Sequence, residues 1–284
     1  MAIAPTVDIP ILPMNDGFDI PQLGIASFRR DPTDKVRELL LRMIDEGIRH
    51  IEISELFGNG HVVADCVLEG GAELNREDVF FTLKVWPKNR KKEEIVDAVQ
   101  EALGFYGLDY VDLLIIHGPL DISHRVDQYK AMEELKQSGL TRSIGLANMT
   151  HGQLSNILKK CNVCPAVVEM EITPFHQRLD IAEFCHDNGI VVLCDNPLAK
   201  DINSDMPILV ELARGLDITT QQLLIRWCVT KGYAPLLPVD HAAVGTKLEL
   251  LLEPLPADIV EVMDAMEQGQ LTSWETNEET AEEG

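Results

Sequence analysis

Short apolar stretches alternate with longer amphipathic stretches along most of the chain. The short stretches are rich in valine and isoleucine, which is typical of strands that are buried on both faces. The longer stretches place their apolar residues at the spacing of a helix face, and Gly47 is expected to end the first such helix. Its apolar residues are Val36, Leu39, Leu40, Met43 and Ile44. The pattern therefore predicts a regular succession of strands and helices.

The strand–helix unit recurs eight times, which favours an α/β fold of the TIM (β/α)8 barrel type. The predicted strands are Leu23–Phe28, a strand within Gly47–Asn59, Val79–Val85, Val111–His117, Arg142–Leu146, Ala166–Met170, Ile190–Cys194 and Ala234–Leu237. The predicted helices are Lys35–Gly47, His61–Leu74, Lys92–Leu103, Val126–Ser138, Gly152–Lys160, Ile181–Asn188 and Thr219–Thr230, with extra helices at Pro207–Arg214 and Ala257–Glu267.

Both ends of the chain add to this core. Asp16–Gly17 predicts the turn of an N-terminal β-hairpin, which we expect to close one end of the barrel, and Asp31–Pro32 suits a helix start. A chain of 284 residues with 45% hydrophobic content can form one barrel domain, which we assign to residues 1–270. The remaining residues, 271–284, form an acidic tail that we expect to be disordered.

The charge of the chain narrows the range of partners. The formal net charge is −23, which disfavours nucleic acid and anionic membranes, because both attract basic surfaces. The N-terminal segment lacks the pattern of a signal peptide and no apolar run has the length of a membrane span, so we expect a cytoplasmic protein. Cys161 and Cys164 form one C-x-x-C pattern, which leaves a redox pair, half of an intersubunit zinc site and chance spacing open. We assign no metal site.

Chemically capable side chains occur where predicted strands end. Glu52 lies near the end of the second strand, Lys84 near the end of the third, and His117 closes the fourth. Phe57 adds a ring in the loop after Glu52, and Trp86 is expected to line a substrate pocket. In a β/α barrel these strand ends share the face that carries active sites. A lysine paired with Glu52 could also be a purely structural ion pair, and the residues alone leave both interpretations open.

Segments along nearly the whole chain resemble motifs of the aldo-keto reductase family. GIRHIEISELFGN at 47–59 resembles G-x-R-H-x-D-T-A-x-x-Y-G-N, FFTLKVWP at 80–87 carries the family's lysine, and GLDYVDLLIIHGP at 107–119 matches its histidine segment. Further similar segments, in order, are MEELKQSGLTRSIGLANM, PAVVEMEITPF, GIVVLCDNPLA, QLLIRWCVTKGYAPLLP and LTSWE. The resemblance implies the same barrel fold.

The resemblance also implies NADPH-dependent reduction of carbonyl compounds. In the family a tyrosine donates the proton, a lysine paired with an aspartate makes that tyrosine more acidic, and a histidine orients the carbonyl group. These positions fall on Phe57, Lys84, Glu52 and His117, in that order. Phe57 has no hydroxyl group, and general acid catalysis contributes about 10²–10⁴-fold to a rate.

The family's cofactor positions differ as well. The ring that stacks on the nicotinamide falls at Asp195, the glutamine that holds the carboxamide falls at Glu169, and the family's asparagine remains as Asn148. The family's I-P-K-S segment, which binds the 2′-phosphate, corresponds to Leu237–Pro238–Val239–Asp240 here. The segment from Pro238 to Asp240 therefore lacks the lysine that binds the phosphate in the family. A carboxylate near a phosphate costs about 1–4 kcal/mol where a cation would gain a similar amount. NADPH is expected from the family but is predicted to bind weakly or not at all.

Three functions follow as hypotheses. The first is a pseudoenzyme that has lost NADPH-dependent carbonyl reduction and binds a small molecule or a protein partner at the barrel mouth. The second is an NAD(P)H-dependent oxidoreductase of aldehydes or ketones with another proton donor, such as water or protonated His117. The third is a redox-neutral lyase or isomerase that uses Glu52, Lys84 and His117. The joint replacement of proton donor, stacking ring and phosphate cations favours the first.

Overall fold

Eight parallel strands close into a barrel in the structure, a computed structural model that describes residues 7–26, 33–55, 60–68, 74–87, 90–118, 124–201, 203–238 and 248–272. The strands follow one another around the barrel in chain order, and the last pairs with the first. They are β3 (Gly24–Ala26), β4 (His50–Ser54), β5 (Phe80–Val85), β6 (Val111–Ile116), β7 (Thr141–Ala147), β8 (Val167–Glu171), β9 (Val191–Asp195) and β10 (Ala234–Pro238). The predicted TIM barrel is confirmed.

The helices lie near the positions that the apolar spacing predicts. Their bounds are α1 (Thr33–Glu46), α2 (Gly60–Leu68), α3 (Lys92–Tyr106), α4 (Arg125–Gln137), α5 (His151–Leu158), α6 (Leu179–Asp187), α7 (Pro207–Gly215), α8 (Thr220–Thr230), α9 (Leu248–Leu252) and α10 (Ala257–Asp264). Gly47 has a φ of 117° and follows α1 directly, as predicted. The short helix α9 was not predicted, because five residues give too little periodicity to recognise.

The predicted hairpin precedes the barrel and packs against one end of it. Strands β1 (Ile11–Pro13) and β2 (Asp19–Pro21) pair antiparallel, with Gly17 at a φ of 89° in the turn. The Asn15 side chain donates to the carbonyl of Pro165, and the Gln22 side chain donates to the carbonyls of Val229 and Tyr233. These acceptors precede β8 and β10, so the hairpin lies at the amino-terminal end of the barrel strands.

The strands separate two apolar layers. Alternate side chains point to opposite faces of a strand, and the outward ones join the helices in one large buried cluster. The inward ones form a smaller cluster inside the barrel, whose strand members are Ala26, Leu113, Ile115, Ala147, Val167, Leu193, Ala234 and Leu236. The inner layer fixes which residues face the barrel axis near the carboxyl ends of the strands. We call that end the barrel mouth.

The last described residues run along the mouth. The backbone of Gln268 and that of Gln270 both donate to the carbonyl of Phe175, and Thr272 donates to the Glu171 carboxylate through both its backbone and its hydroxyl group, each at 2.7 Å. We assigned Leu271 and Thr272 to the tail, but Thr272 is hydrogen-bonded to the barrel. The predictions for Asp31–Pro32, Phe57, Asp240 and residues 273–284 lie outside the described residues.

Candidate functional site

Alternation along the strands brings several ionisable side chains to the inner face of the mouth. Leu193 faces inward on β9, so Asp195 two residues later does too. By the same argument Val167 places Glu169 and Glu171 inward on β8, and Ile115 places His117 inward after β6. Lys84 lies beside Ile115 in the register of β5 and β6. Acidic residues from the adjacent strands β8 and β9 therefore face the barrel interior together with one lysine from β5.

Lys84 is the centre of this group. Its Nζ lies 2.5 Å from Glu169 Oε1 and 3.5 Å from Glu52 Oε1. All three residues are at most 3% exposed. The Lys84–Glu52 pair that the family resemblance implies is present, but the shorter ion pair is made with Glu169, a residue that the sequence argument treated only as a degenerate cofactor contact.

Burial makes both carboxyl groups less acidic. The pKa of Glu52 is raised well above its ordinary value, first by desolvation and then by the nearby charge of Glu169, which the Lys84 ammonium only partly offsets. The pKa of Glu169 is also raised, first by desolvation, while Lys84 acts in the opposite direction and Asp195 adds to the increase. Three carboxylates near one ammonium give the inner mouth a formal excess of negative charge.

His117 and Trp86 form an aromatic contact beside this group. Their ring centroids are 4.8 Å apart with an interplanar angle of 32°. The backbone of His117 donates to the carbonyl of Val85 at 2.8 Å, which fixes the start of the loop after β6. His117 is buried and Trp86 is half-buried, so the indole covers the imidazole at the rim of the mouth. The structure thus brings the predicted pocket residue Trp86 to the predicted His117.

A salt bridge that sequence reasoning missed holds Trp86 in place. The Glu55 carboxylate accepts a hydrogen bond from the backbone of Trp86 and is 2.8 Å and 3.0 Å from Arg90 Nη1 through its two oxygens. Arg90 Nη1 also donates to the Trp86 carbonyl at 2.9 Å. Glu55 follows β4 and Arg90 precedes α3, so the pair joins two neighbouring loops of the mouth. The polar residues in both loops gave no sign of this pairing.

The other predicted cofactor positions are spread around the rim. Asn148 follows β7 with a φ of 55°, and its backbone donates to the Glu169 carbonyl at 2.9 Å. Asp195 ends β9 beside Glu171 in the strand register, and Pro238 ends β10 beside Ala26. Phe57 and Asp240 belong to segments that the structure leaves undescribed. Glu52, Lys84, Glu169 and Asp195 are therefore brought together, whereas Asn148 and Pro238 lie on other strand ends.

A polar network anchors the end of the described chain beside Asp195. The Asn196 side chain donates to Thr272 Oγ1 at 2.8 Å and to Glu171 Oε2 at 3.3 Å. Asn203 donates to the Gln270 side chain at 3.0 Å. Glu171 thus accepts hydrogen bonds from Asn196 and from the C-terminal segment. The sequence did not predict this contact between residues that are far apart in the chain.

The cysteine pattern is separate from the mouth. Cys161 and Cys164 are free thiols between α5 and β8, near the amino-terminal end of the strands, and the Asn15 side chain contacts Cys164 Sγ at 3.5 Å. Burial raises the pKa of both thiols. Among the described residues, no group of three or more His, Cys, Asp or Glu side chains is arranged to hold a metal ion.

The chain belongs to the aldo/keto reductase family, whose sequence model matches residues 22–254. An uncharacterized oxidoreductase of Saccharomyces cerevisiae, YJR096W, is 30% identical over 231 residues, covering 78% of this chain and 82% of the yeast protein. Aldo-keto reductase AKR2E4 of Bombyx mori is 28% identical over 255 residues, covering 81% of this chain and 83% of the relative.

Solved structures agree with this assignment of the fold. The crystal structure of AKR2E4 in complex with NADP superposes with a TM-score of 0.87 at 24% identity, covering 94% of this chain and 96% of that one. The structure of aldo-keto reductase AKR2E5 complexed with NADPH gives a TM-score of 0.84 at 26% identity, covering 94% of this chain and 90% of that one.

In the described parts of this chain, no helix has the length and apolar character to span a membrane.

Proposed function

We propose that this family member does not reduce carbonyl compounds with NADPH and that its barrel mouth binds a small molecule or a protein segment instead. The observation that carries the proposal is the 2.5 Å contact between Lys84 and Glu169. By resemblance, the position of Glu169 belongs to a glutamine that holds the nicotinamide carboxamide. Here it is a buried carboxylate engaged with the lysine.

NADP(H) does not fit the described residues well at two positions. A carboxamide offers both donors and an acceptor, and a glutamine can satisfy both kinds, whereas an ionised carboxylate only accepts. Glu169 has no amide N–H for the carboxamide oxygen, and its Oε1 is already engaged with Lys84. Asp195 has no ring to stack on the nicotinamide, a contact worth about 0.5–1.5 kcal/mol beyond burial. Both positions thus carry a carboxyl group where the family carries a neutral amide and an aromatic ring.

The proton donor of the family reaction is replaced as well. Phe57 occupies the tyrosine position in the sequence and carries no ionisable group. In the family the lysine makes that tyrosine more acidic, and here Lys84 lies between two carboxyl groups that offset its charge. Hydride transfer to a carbonyl group would thus have no proton source of the family's kind.

Ligand binding at the mouth is supported by the side chains that line it. Aromatic surface beside a few convergent polar groups is typical of small-molecule sites. Trp86 and His117 provide the rings, and Lys84 provides the cation beside Glu52 and Glu169. The arrangement suits a ligand with an aromatic or apolar body and a polar end.

A thermal-shift screen with NADPH, NADH and ADP-ribose, combined with NADPH consumption on a panel of aldehydes and ketones, tests the proposal. A ligand that binds only the folded state raises the apparent stability, so we expect no shift and no turnover. The double variant Glu169→Gln, Asp195→Tyr should gain a shift with NADPH, and Glu171→Gln serves as the matched control on the same strand. Steady NADPH consumption by the unaltered protein would contradict the proposal.

A redox-neutral reaction is a second candidate, because two buried carboxyl groups, those of Glu52 and Glu169, both lie beside the Lys84 ammonium. A carboxylate could remove a proton next to a carbonyl group while the Lys84 ammonium stabilises the enolate, and return of the proton would complete an isomerisation. Hydrogen exchange of carbonyl compounds in D2O, followed by NMR, tests this. Exchange that is lost in Lys84→Met would support it, and no exchange across the panel would remove it.

A further inference from the structure

Two buried carboxyl groups from opposite parts of the barrel meet beside one ammonium group. Glu52 Oε1 lies 3.5 Å and Glu169 Oε1 lies 2.5 Å from Lys84 Nζ, so one ammonium group joins the two carboxyl groups. We propose that Glu52 and Glu169 hold one proton between them at neutral pH, so that the mouth keeps an exchangeable proton beside Lys84. This inference does not depend on whether the mouth binds NADPH.

Charge balance is the first argument. If both carboxyl groups were ionised, a region with at most 3% exposure would carry two negative charges and one positive charge. Burial disfavours an unbalanced charge, and two carboxylates that share a site cannot both ionise easily. One shared proton leaves an ammonium, a carboxylate and a neutral carboxyl group, which together carry no net charge.

Hydrogen bonding is the second argument. Glu169 Oε1 accepts from Lys84, but Glu169 Oε2 is buried and has no hydrogen-bond partner within the described residues. A buried polar atom without a partner is costly, and most such atoms in folded proteins are paired. A proton held between Glu52 and Glu169 adds one hydrogen-bond donor to a pair that otherwise consists of acceptors only.

The neighbouring charges act in both directions. Desolvation, the second carboxyl group and Asp195 raise the pKa of Glu52, and Lys84 lowers it. Desolvation and Asp195 also raise the pKa of Glu169, whereas Lys84 and His117 lower it. Among the described residues, the charged or titratable groups that act on the pair include Lys84 on β5, His117 after β6 and Asp195 on β9. Asp195 favours retention of the proton, and a ligand cation near Asp195 would favour its release.

The pair would restore a proton to a mouth in which the family's tyrosine position is Phe57. Such a proton can pass to a basic atom of a bound molecule, and the pair is then left with both groups ionised beside Lys84. The return of a proton from solvent or from the product restores the pair. No electron transfer is required.

Infrared difference spectroscopy of the ligand-free protein tests the proposal directly. A protonated carboxyl group gives a C=O stretching band that shifts in D2O, and the unaltered protein should show such a band at pH 7. The band should disappear in both Glu169→Gln and Glu52→Gln, because each variant leaves one carboxylate paired with Lys84. Glu171→Gln, which removes a neighbouring buried carboxylate bonded to Thr272, should keep the band.

Each outcome decides the question. Loss of the band in both pair variants, with retention in the control, supports a shared proton. The absence of the band in the unaltered protein at pH 7 overturns it, and this measurement needs no variant to fold. Retention of the band in either Glu169→Gln or Glu52→Gln also overturns it, because the proton would then belong to the remaining residue alone.

Discussion

The Lys84 ammonium makes its shortest ion pair with Glu169, at 2.5 Å across the interior of the barrel. The two residues are 85 positions apart in the sequence, on β5 and β8. Since β8 is not adjacent to β5, the contact crosses the barrel axis and closes the top of its inner apolar layer. A lysine that serves one acidic partner in the family serves two in this protein.

Replacement of Lys84 by methionine should destabilise the protein strongly. It leaves Glu52 and Glu169 buried without a cation, and removal of one member of a buried ion pair typically costs about 3–5 kcal/mol. The pKa of each carboxyl group in the folded state already exceeds its unfolded value. The penalty should therefore be small near pH 4.5 and should grow as the pH rises through the folded-state pKa values.

Urea unfolding of Lys84→Met at pH 5 and pH 8 measures this difference. Lys130→Met is the matched control, since Lys130 forms an exposed ion pair with Asp127 on α4. An exposed pair contributes only about 0–1 kcal/mol. Equal losses of stability for the two variants would show that Lys84 is not neutralising buried carboxylates.

His50 should make the protein sensitive to acid. It lies inside the barrel with Nε2 2.9 Å from Thr82 Oγ1, and burial lowers its pKa to about 3. Because the unfolded chain binds the proton near pH 6.5 and the folded protein does not, stability is present above pH 6.5 and falls as the pH drops toward 3. At about 1.4 kcal/mol per pKa unit, the full loss from this residue is about 5 kcal/mol.

The measurement is the free energy of unfolding of the unaltered protein and of His50→Gln between pH 7 and pH 4. The difference between them should shrink as the pH falls, because only the unaltered protein loses the contribution of His50. His186→Gln provides the control, since the His186 side chain is 90% exposed. A difference that stays constant over this range would contradict the buried neutral imidazole.

Glu55 should control the environment of Trp86. In Glu55→Gln the ion pair with Arg90 is lost, and the backbone of Trp86 keeps at best a weaker acceptor. Both side chains are partly exposed, so the expected cost in stability is only about 1 kcal/mol. Acrylamide quenching of tryptophan fluorescence should increase, with Trp86→Phe as the reference that removes the contribution of Trp86 and leaves that of the other two tryptophans.

A surface pair supplies the comparison for this prediction. Glu134→Gln removes the exposed ion pair between Lys92 and Glu134, which joins α3 to α4 outside the mouth. This variant should leave quenching unchanged. If Glu55→Gln and Glu134→Gln behave alike, the Glu55–Arg90 pair does not position Trp86.

The barrel could be predicted from the sequence because its signals are local. Valine- and isoleucine-rich strands, helix-face spacing and Gly47 each act within a few residues, and the hairpin turn at Asp16–Gly17 is a two-residue signal. Because these signals are local and short, they fix the bounds of an element only approximately and do not reveal very short helices. Strand ends shifted by one or two residues, and α9 was missed because only five residues form it.

The site could be predicted only in part. The positions of Glu52, Lys84 and His117 at strand ends followed from the strand pattern, and their neighbourhood followed from the barrel. The partnership of Lys84 with Glu169 did not, because it depends on which side chains cross the barrel axis. One signal was available: in VVEME, two glutamates two residues apart within a buried strand must share the inner face.

The central claim is that the mouth no longer accepts NADPH, and a titration of NADPH followed by intrinsic tryptophan fluorescence tests it most directly. Trp86 lies at the rim of the mouth, so a bound nucleotide should alter its emission. We predict no saturable change through the micromolar range, and a saturable change in Glu169→Gln, Asp195→Tyr. Saturable binding of NADPH to the unaltered protein in the low micromolar range would contradict the account.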